Sequence, residues 1–153
     1  MKLLRAFMVL SLCLLLAACS SGPPRRVYPP QATVQELRLQ ADGQVALTLR
    51  VQNFSTVPMT FNRVQATLTL AGAEAARFDF DPALTVGPGS NELVTRPFAP
   101  TPAVRASIDA AFAGSRPVRY TLEGRIADST GRDDAFEYDS ALDPVPGLTG
   151  VLR

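Results

Sequence analysis

The sequence predicts an all-β fold: an antiparallel β-sandwich of about seven strands that carries one short α-helix. Three observations predict it. Several short segments alternate apolar and polar residues with a period of two, as strands with one buried face do. Turn-forming residues separate these segments at the spacing typical of sandwiches. One further segment repeats its apolar residues every four positions, which is close to the helical period.

The first hairpin has the clearest pattern. Residues 44–52 place valine or leucine at every odd position and a polar or small residue at every even one. Residues 34–39 are the predicted partner strand. Asp42 and Gly43 lie between the two strands, and an Asp-Gly pair accepts the backbone angles of a tight hairpin turn.

Further strands complete the predicted sandwich. Residues 64–70 alternate in the same way and stop before Gly72. The loop 128–133, rich in aspartate, joins the last two strands as a hairpin. The other predicted strands cover residues 78–80, 91–98, 118–127 and 135–142.

One amphipathic helix is predicted over residues 102–113. Thr101 can cap its first turn, Pro102 suits the first helical position, and Gly114 suits the end. Its only basic residue is Arg105, which argues against a helix lying on a membrane surface. We therefore expect the helix to pack across an open edge or end of the sandwich.

Residues 1–18 are predicted to be a secretory signal peptide. Lys2 and Arg5 form a short positive region, and an apolar run follows. The run is shorter than the roughly 20 residues that a membrane-spanning helix needs. It ends at Ala17 and Ala18, the small residues expected at a cleavage site.

The end of the signal peptide, Leu16 to Cys19, resembles the lipobox of bacterial lipoproteins. The resemblance implies cleavage between Ala18 and Cys19. It also implies a diacylglycerol thioether on the Cys19 sulfur and a further acyl chain, such as palmitate, on its amino group. Because Ser20 is not an aspartate, the resemblance implies an outer-membrane anchor on the periplasmic face. The alternative is an ordinary signal peptide that ends near a cysteine.

Residues 19–32 are predicted to be the lipidated cysteine and a proline-rich tether, and residues 33–153 the folded domain. The prolines of the tether favour an extended spacer of about 3 Å per residue. Arg25 and Arg26 are candidates for contact with anionic lipid head groups. A solvated spacer is the favoured alternative.

Composition excludes several function classes. Cleavage would leave 135 of the 153 residues and, with Lys2 and Arg5 removed, would change the net charge from +1 to −1. Nucleic-acid binding asks for a concentrated basic face, which this composition does not offer. After the signal peptide the chain has no His, Lys or Trp, and its one cysteine is the predicted lipid site. Ser-His-Asp and Cys-His catalysis, Schiff-base chemistry and ordinary zinc sites are therefore excluded.

We accordingly expect that the protein is not an enzyme, needs no cofactor and does not bind nucleic acid. Carboxylates are the one catalytic class left. A carboxylate enzyme would need two acidic groups roughly 5–10 Å apart in a cleft.

Asp128, Asp133 and Asp134 are candidates for surface binding. Aspartate-rich loops can bind calcium, but these positions miss the spacing of an EF-hand loop, and a solvated hairpin is favoured. We predict no metal site. Asn53 lies in a glycosylation-like triplet and is expected instead to shape the turn that ends its strand.

The Asn53 turn, residues 57–59, the strand end at Ala71-Gly72, the helix at 102–113 and residues 120–126 follow one another in a recognisable order. Over roughly residues 33–142 this order of features resembles the late-embryogenesis-abundant group 2 fold, also called the water-stress and hypersensitive-response (WHy) domain. The chain has Asn53-Phe54-Ser55 where that family commonly has Asn-Pro-Asn. The resemblance implies an immunoglobulin- or fibronectin-III-like sandwich, a role in water stress or desiccation tolerance, and no cofactor or active site.

Two functional hypotheses follow. The leading one is a non-enzymatic outer-membrane lipoprotein that protects or binds envelope components during dehydration. Its arginines could hydrogen-bond phosphates, carboxylates or sugars. The alternative is an accessory subunit of an envelope complex, which would pair through a strand edge or hold a small apolar ligand between its sheets.

Overall fold

Two antiparallel β-sheets pack face to face in the computed structural model, which describes residue 22 and residues 24–153 of the chain. One helix accompanies them in the described residues. The predicted all-β sandwich with a single short helix is confirmed. The predicted signal peptide, the cleavage site between Ala18 and Cys19, and the lipidated Cys19 lie outside the described residues.

The elements follow one another with the helix α1 between the sixth and seventh strands. Helix α1 spans Pro102–Gly114. The strands are β1 (Gln31–Leu39), β2 (Val45–Gln52), β3 (Met59–Leu70), β4 (Ala73–Phe80), β5 (Leu84–Val86), β6 (Asn91–Phe98), β7 (Val118–Asp128), β8 (Asp133–Leu142) and β9 (Val151–Leu152).

The strand order follows the immunoglobulin pattern with one change. The smaller sheet has the order β6-β2-β1-β9, and the larger has β4-β3-β7-β8 with β5 on the start of β3. β1, β2 and β6 occupy the places of strands A, B and E, while β3, β7 and β8 occupy those of C, F and G. β4 pairs with β3 rather than with β6, so the fourth strand lies on the opposite sheet from that of a constant-type domain.

The first hairpin forms where the alternation predicted it. β1 and β2 pair from Gln31 opposite Gln52 to Leu39 opposite Val45. Gly43 in the connecting turn has a φ of +85°, which glycine adopts without the steric cost that a side chain brings.

Sequence reasoning missed β5 and β9 because both are too short to show a period. β5 has 3 residues and β9 has 2. Each is ordered by a longer neighbour: Met59 to Phe61 of β3 pair with β5, and Leu37 and Arg38 of β1 pair with β9. Tertiary contact, rather than local pattern, decides these two strands.

β3 and β4 begin earlier than the alternation indicates. β3 starts at Met59 rather than at residue 64, because a register shift between Phe61 and Arg63 breaks the period. β4 starts at Ala73 rather than at residue 78, and its pairing with β3 also shifts register, between Leu68 and Thr69.

Helix α1 begins as predicted and ends one residue later. The Thr101 hydroxyl accepts a hydrogen bond from the Val104 N–H at 3.3 Å, and Pro102 occupies the first turn. The left-handed residue after the helix is Ser115, with a φ of +46°, rather than the predicted Gly114. Val104, Ile108 and Ala111 bury one side of the helix against β4 and β7, which confirms the predicted packing on the sandwich.

Two different devices close the sides of the sandwich. Between the edge strands β6 and β4, Phe78 and Phe98 meet edge to face at 6.2 Å, and the Arg96 guanidinium lies 4.1 Å from the centre of the Phe80 ring. On the other side, the phenol oxygen of Tyr120 on β7 accepts a hydrogen bond from a β1 backbone N–H across the gap.

Apolar side chains from both sheets fill the space between them. Burying a side chain of this kind contributes about 1.5–3 kcal/mol, and the chain has no cysteine after Cys19 that could add a disulfide. No helix in the described part of the chain is both long and apolar enough to cross a membrane. The largest fully buried side chains are Phe61, Leu37, Leu47, Leu49, Leu68, Leu70, Ile108, Leu122, Ile126, Leu152, Val45 and Val51.

Candidate functional site

The sandwich has two chemically different ends. We call one the tether end, because the chain enters the fold there through residues 24–30; it also carries the loops 53–58, 87–90 and 129–132. The other is the helix end, which carries α1 and the turns at 40–44 and 71–72. Strand pairing places each group of loops at its own end of the sheets.

Asn53 organises the tether end. Its side chain is fully buried. Nδ2 donates toward the carbonyl oxygens of Val57 at 2.8 Å and of Val86 and Gly87 at 3.0 Å, and Oδ1 accepts from the Ser55 N–H at 2.8 Å. One side chain therefore ties the β2–β3 loop to the β5–β6 loop, and the prediction that Asn53 shapes the turn after its strand is confirmed.

The N-terminal segment lies along this loop. The Tyr28 N–H donates to Ser55 Oγ at 2.9 Å, and Arg26 and Thr56 exchange two further bonds, from the Arg26 N–H to Thr56 Oγ1 at 2.8 Å and from the Thr56 N–H to the Arg26 carbonyl at 2.9 Å. β1 already begins at Gln31, ahead of the predicted domain start at residue 33. The last part of the predicted tether is thus held against the sandwich.

Three large apolar side chains are exposed at the tether end. Val27 is 45%, Tyr28 is 43% and Phe54 is 44% accessible to solvent. Arg25 and Arg26 are also exposed and form no ion pair among the described residues. Apolar and cationic side chains are therefore both exposed at the end of the sandwich where the chain enters the domain.

Asp128, one of the three predicted surface-binding residues, is buried in its own hairpin. Its Oδ1 accepts from the Thr130 N–H at 2.8 Å, the Thr130 hydroxyl at 2.6 Å and the Arg132 N–H at 3.1 Å. Burial on its own would raise the pKa of Asp128, but these hydrogen bonds and the charge of Arg132 lower it overall. The carboxylate stabilises the β7–β8 turn from within.

Asp133 and Asp134, the other two predicted residues, are paired with arginines. Arg125 Nε lies 2.9 Å from Asp133 Oδ2, and Arg132 Nη2 lies 3.1 Å from Asp134 Oδ2. No group of three or more Asp, Glu, His or Cys side chains within the described residues is arranged to hold a metal ion. Surface binding by these aspartates stays a prediction.

A cleft of about 650 Å³ opens at the helix end. Sequence reasoning missed it, because no motif marks it and its walls come from three separate elements. Ala71 has a φ of +49°, a backbone conformation that is energetically unfavourable for any residue other than glycine. Its N–H donates to the Arg119 carbonyl at 2.9 Å. The cleft is lined by Ala71, Gly72, Ser107, Ala110, Ala111, Arg116, Pro117, Val118 and Arg119.

The two arginines of this cleft stand apart from most arginines of the domain. Arg116 and Arg119 have no carboxylate partner in the described part of the chain, whereas seven other arginines do. Those in ion pairs are Arg38, Arg63, Arg77, Arg105, Arg125, Arg132 and Arg153.

The placement of each arginine follows from its element. Arg116 lies just after the helix and folds back on it: a Cβ built on Gly114 would meet Arg116 Nε at 2.8 Å. A cation at this position is favoured by the negative end of the helix dipole. Arg119 also lines a second cleft of about 360 Å³, which shares Gly72 with the first. Two guanidinium groups that no carboxylate of the described residues pairs with, set beside small apolar side chains, can hold an anionic group through charge-assisted hydrogen bonds.

Comparison with known proteins gives similarity in structure only. No protein family matches the chain, and no curated protein does. A solved protein from Archaeoglobus fulgidus is 14% identical, with 78% of this chain and 98% of that chain covered and a TM-score of 0.44. One from Arabidopsis thaliana is 10% identical, with 84% and 85% covered and a TM-score of 0.49. A candidate late embryogenesis abundant (LEA) protein is 13% identical, with 87% and 76% covered and a TM-score of 0.48.

Proposed function

We propose that this protein is a non-enzymatic lipoprotein, anchored through Cys19 to the periplasmic face of the outer membrane, whose LEA-2-type sandwich binds anionic envelope components during water stress. The single observation that carries the binding role is the helix-end cleft, in which Arg116 and Arg119 lack a carboxylate partner among residues 24–153.

The anchoring part of the proposal is supported by the order of features in the sequence. A positive end, an apolar run, the residues Leu16 to Cys19 and a proline-rich stretch follow one another directly. Multiple acyl chains would hold the protein on the bilayer far more firmly than the marginal binding of a single chain.

The binding part is supported by the charge and shape of the helix-end cleft. Phosphate and carboxylate groups match the planar fork of a guanidinium, which can donate two parallel hydrogen bonds. The small side chains of Ala71, Ala110 and Ala111 leave room for the rest of such a ligand. Phosphorylated or carboxylated envelope glycans carry such groups. As a cell dries, they would take the place of the hydration water around the two guanidinium groups of the cleft.

Anchoring is tested by labelling cells with radioactive palmitate and recovering the protein. The wild type is expected to carry label and to sediment with membranes. Cys19→Ala is expected to lose both properties. A Cys19→Ala variant that still sediments with membranes would contradict the anchor.

The binding role is tested by survival after drying. Deletion of the gene is expected to lower survival, and complementation with the wild type to restore it. The double variant Arg116→Gln/Arg119→Gln should fail to restore it. Arg63→Gln/Arg77→Gln is the matched control, since it removes the same charge from exposed ion pairs, which contribute about 0–1 kcal/mol each. Normal survival of the deletion strain would refute the proposed role.

A second candidate function is that of an accessory subunit that pairs through β6. This strand is at the edge of the smaller sheet and pairs with β2 alone in the described part of the chain. It exposes Leu93 to 53%, and a free edge of this kind can accept a partner strand. Crosslinking in whole cells separates the two functions. A single stoichiometric protein partner favours the subunit, and its absence favours the envelope-binding role.

A further inference from the structure

We infer that the exposed residues at the tether end form a surface that rests against phospholipid head groups and so orients the sandwich on the bilayer. We call Arg25, Arg26, Val27, Tyr28 and Phe54 the tether-end surface. The inference rests on the proposed anchor at Cys19. It adds that the domain holds a fixed face to the membrane, with the helix-end cleft directed away from it.

The first argument is the type of side chain exposed. Single exposed apolar residues are ordinary on protein surfaces, but Val27, Tyr28 and Phe54 are all exposed at the same end of the sandwich, where the Tyr28 N–H bonds to Ser55, the residue after Phe54. Tyrosine is enriched at the boundary between membrane and water, because its ring is apolar and its hydroxyl remains hydrated. Arg25 and Arg26 add cations that can hydrogen-bond lipid phosphates. Together these residues have the amphipathic character of an interfacial surface.

The second argument is rigidity. The backbone of Tyr28 is held by Ser55, through Tyr28 N–H to Ser55 Oγ at 2.9 Å and Ser55 Oγ to the Tyr28 carbonyl at 3.3 Å. Ser55 is in turn fixed by Asn53, which is fully buried. Phe54 lies between these two residues in the chain. Tyr28 and Phe54 are therefore displayed by one hydrogen-bonded platform instead of by separate flexible segments.

The third argument is the length of chain between the anchor and the surface. Arg25 is six residues after Cys19 in the sequence. Even fully extended, six residues span only about 20 Å. A lipid on Cys19 would therefore keep the tether end close to the head groups, whereas the helix end lies at the other end of the strands. The proposed anchor would accordingly hold this surface against the bilayer, so a bilayer is the partner that we expect to contact it.

The chain offers a direct spectroscopic test, because it contains no tryptophan. Phe54→Trp places one reporter on the tether-end surface. Leu148→Trp is the matched control, since Leu148 is 45% exposed in the loop between β8 and β9 at the helix end. Each full-length lipidated variant is reconstituted into vesicles of phosphatidylethanolamine and phosphatidylglycerol that contain brominated lipid. Sedimentation and tryptophan fluorescence are then measured on the same samples.

The expected result is a blue shift and strong quenching for Phe54→Trp and neither for Leu148→Trp. Sedimentation with vesicles without quenching of Phe54→Trp would overturn the orientation while leaving the anchor in place. Failure to sediment would overturn the anchor and the orientation with it. Equal quenching of both reporters would overturn the orientation. A blue shift of Phe54→Trp in the absence of vesicles, together with a dimeric protein, would overturn it too, because a second copy of the chain would then cover the tether-end surface.

A second reporter and a charge variant guard against a local effect of one substitution. Tyr28→Trp should report the same quenching as Phe54→Trp. Adding Arg25→Gln/Arg26→Gln to Phe54→Trp should reduce quenching on anionic vesicles more than on zwitterionic ones. If the two arginine substitutions reduced quenching equally on anionic and zwitterionic vesicles, a role for the arginines in holding the surface would be contradicted. Far-UV circular dichroism of each variant shows whether it keeps the β-sheet signal of the wild type.

Discussion

Replacing Asn53 is the most direct perturbation of the tether end. Its side chain meets four backbone groups at 2.8–3.0 Å: three carbonyl oxygens and the Ser55 N–H. Asn53→Ala removes the donor and the acceptor together. Asn53→Asp keeps the shape and the acceptor but turns a carboxylate oxygen toward the three carbonyls.

The expected cost follows from those four contacts. Nδ2 has two hydrogens to share among three carbonyls, so at least three hydrogen bonds are lost in Asn53→Ala, at about 1 kcal/mol net each. The contacts with Val86 and Ser55 are buried, and an unpaired buried group costs about 1–3 kcal/mol. We expect Asn53→Ala to lower the free energy of unfolding by about 3–5 kcal/mol. Asn53→Asp should lower it by at least as much, because the carboxylate oxygen that replaces Nδ2 would face three carbonyl oxygens and have no donor there.

Urea unfolding followed by far-UV circular dichroism measures this cost. With a slope of about 1.5 kcal/mol per M, the midpoint should fall by about 2–3 M and the slope should stay unchanged. Asn91→Ala is the control, since Asn91 is exposed at the start of β6, and it should change stability by less than about 0.5 kcal/mol. A cost below about 1 kcal/mol for Asn53→Ala, or wild-type stability for Asn53→Asp, would refute the reasoning.

Three further predictions concern other parts of the fold. Gly124→Ala should destabilise the larger sheet by more than about 3 kcal/mol, because an added Cβ would lie 1.9 Å from a backbone oxygen of β3; in the same urea assay Gly87→Ala, whose Cβ would find its nearest atom at 3.8 Å, should cost far less. Tyr120→Phe should cost about 1–3 kcal/mol, because it leaves the buried Val34 N–H unpaired. Hydrogen exchange of that amide should accelerate in the variant, and an unchanged exchange rate would contradict the bond. The folded-state pKa of Asp128 lies below its ordinary value of 3.8, so its stabilisation is present above that value and is lost as the pH falls through the folded-state pKa. Wild type should therefore exceed Asp128→Asn in urea midpoint at pH 7, and a gap that does not narrow as the pH is lowered below 3.8 would contradict this assignment.

The fold could be predicted from the sequence as far as local patterns reach. The period-two alternation in residues 44–52 and the Asp-Gly turn predicted the first hairpin, because a strand with one buried face and a tight turn both leave a mark in neighbouring residues. β5 and β9 left no such mark, since three and two residues show no period. Register shifts interrupt the pairing of β3 with β7 and with β4, so the regular alternation did not extend to the starts of β3 and β4.

The candidate site was less accessible to sequence reasoning than the fold. Asn53 was predicted to shape a turn, and its proximity to the polar residues that follow carried that prediction. Its bonds to Val86 and Gly87 come from residues more than thirty positions away and leave no local signal. The helix-end cleft joins Ser107 to Arg119 and the β3–β4 turn, so it has no motif at all.

By itself, the sequence determined which segments alternate, where the helix begins, and which catalytic residue types the chain lacks, because these depend on neighbours in the chain or on composition. Tertiary structure decided which edges pair, that Asp128 turns inward to hold its own hairpin, and that Arg116 and Arg119 line one cleft that no carboxylate of the described residues lines. Strand pairing brings together residues that are far apart in the chain. Contacts of that kind therefore depend on how the sheets pair and pack, and no short stretch of residues predicts them.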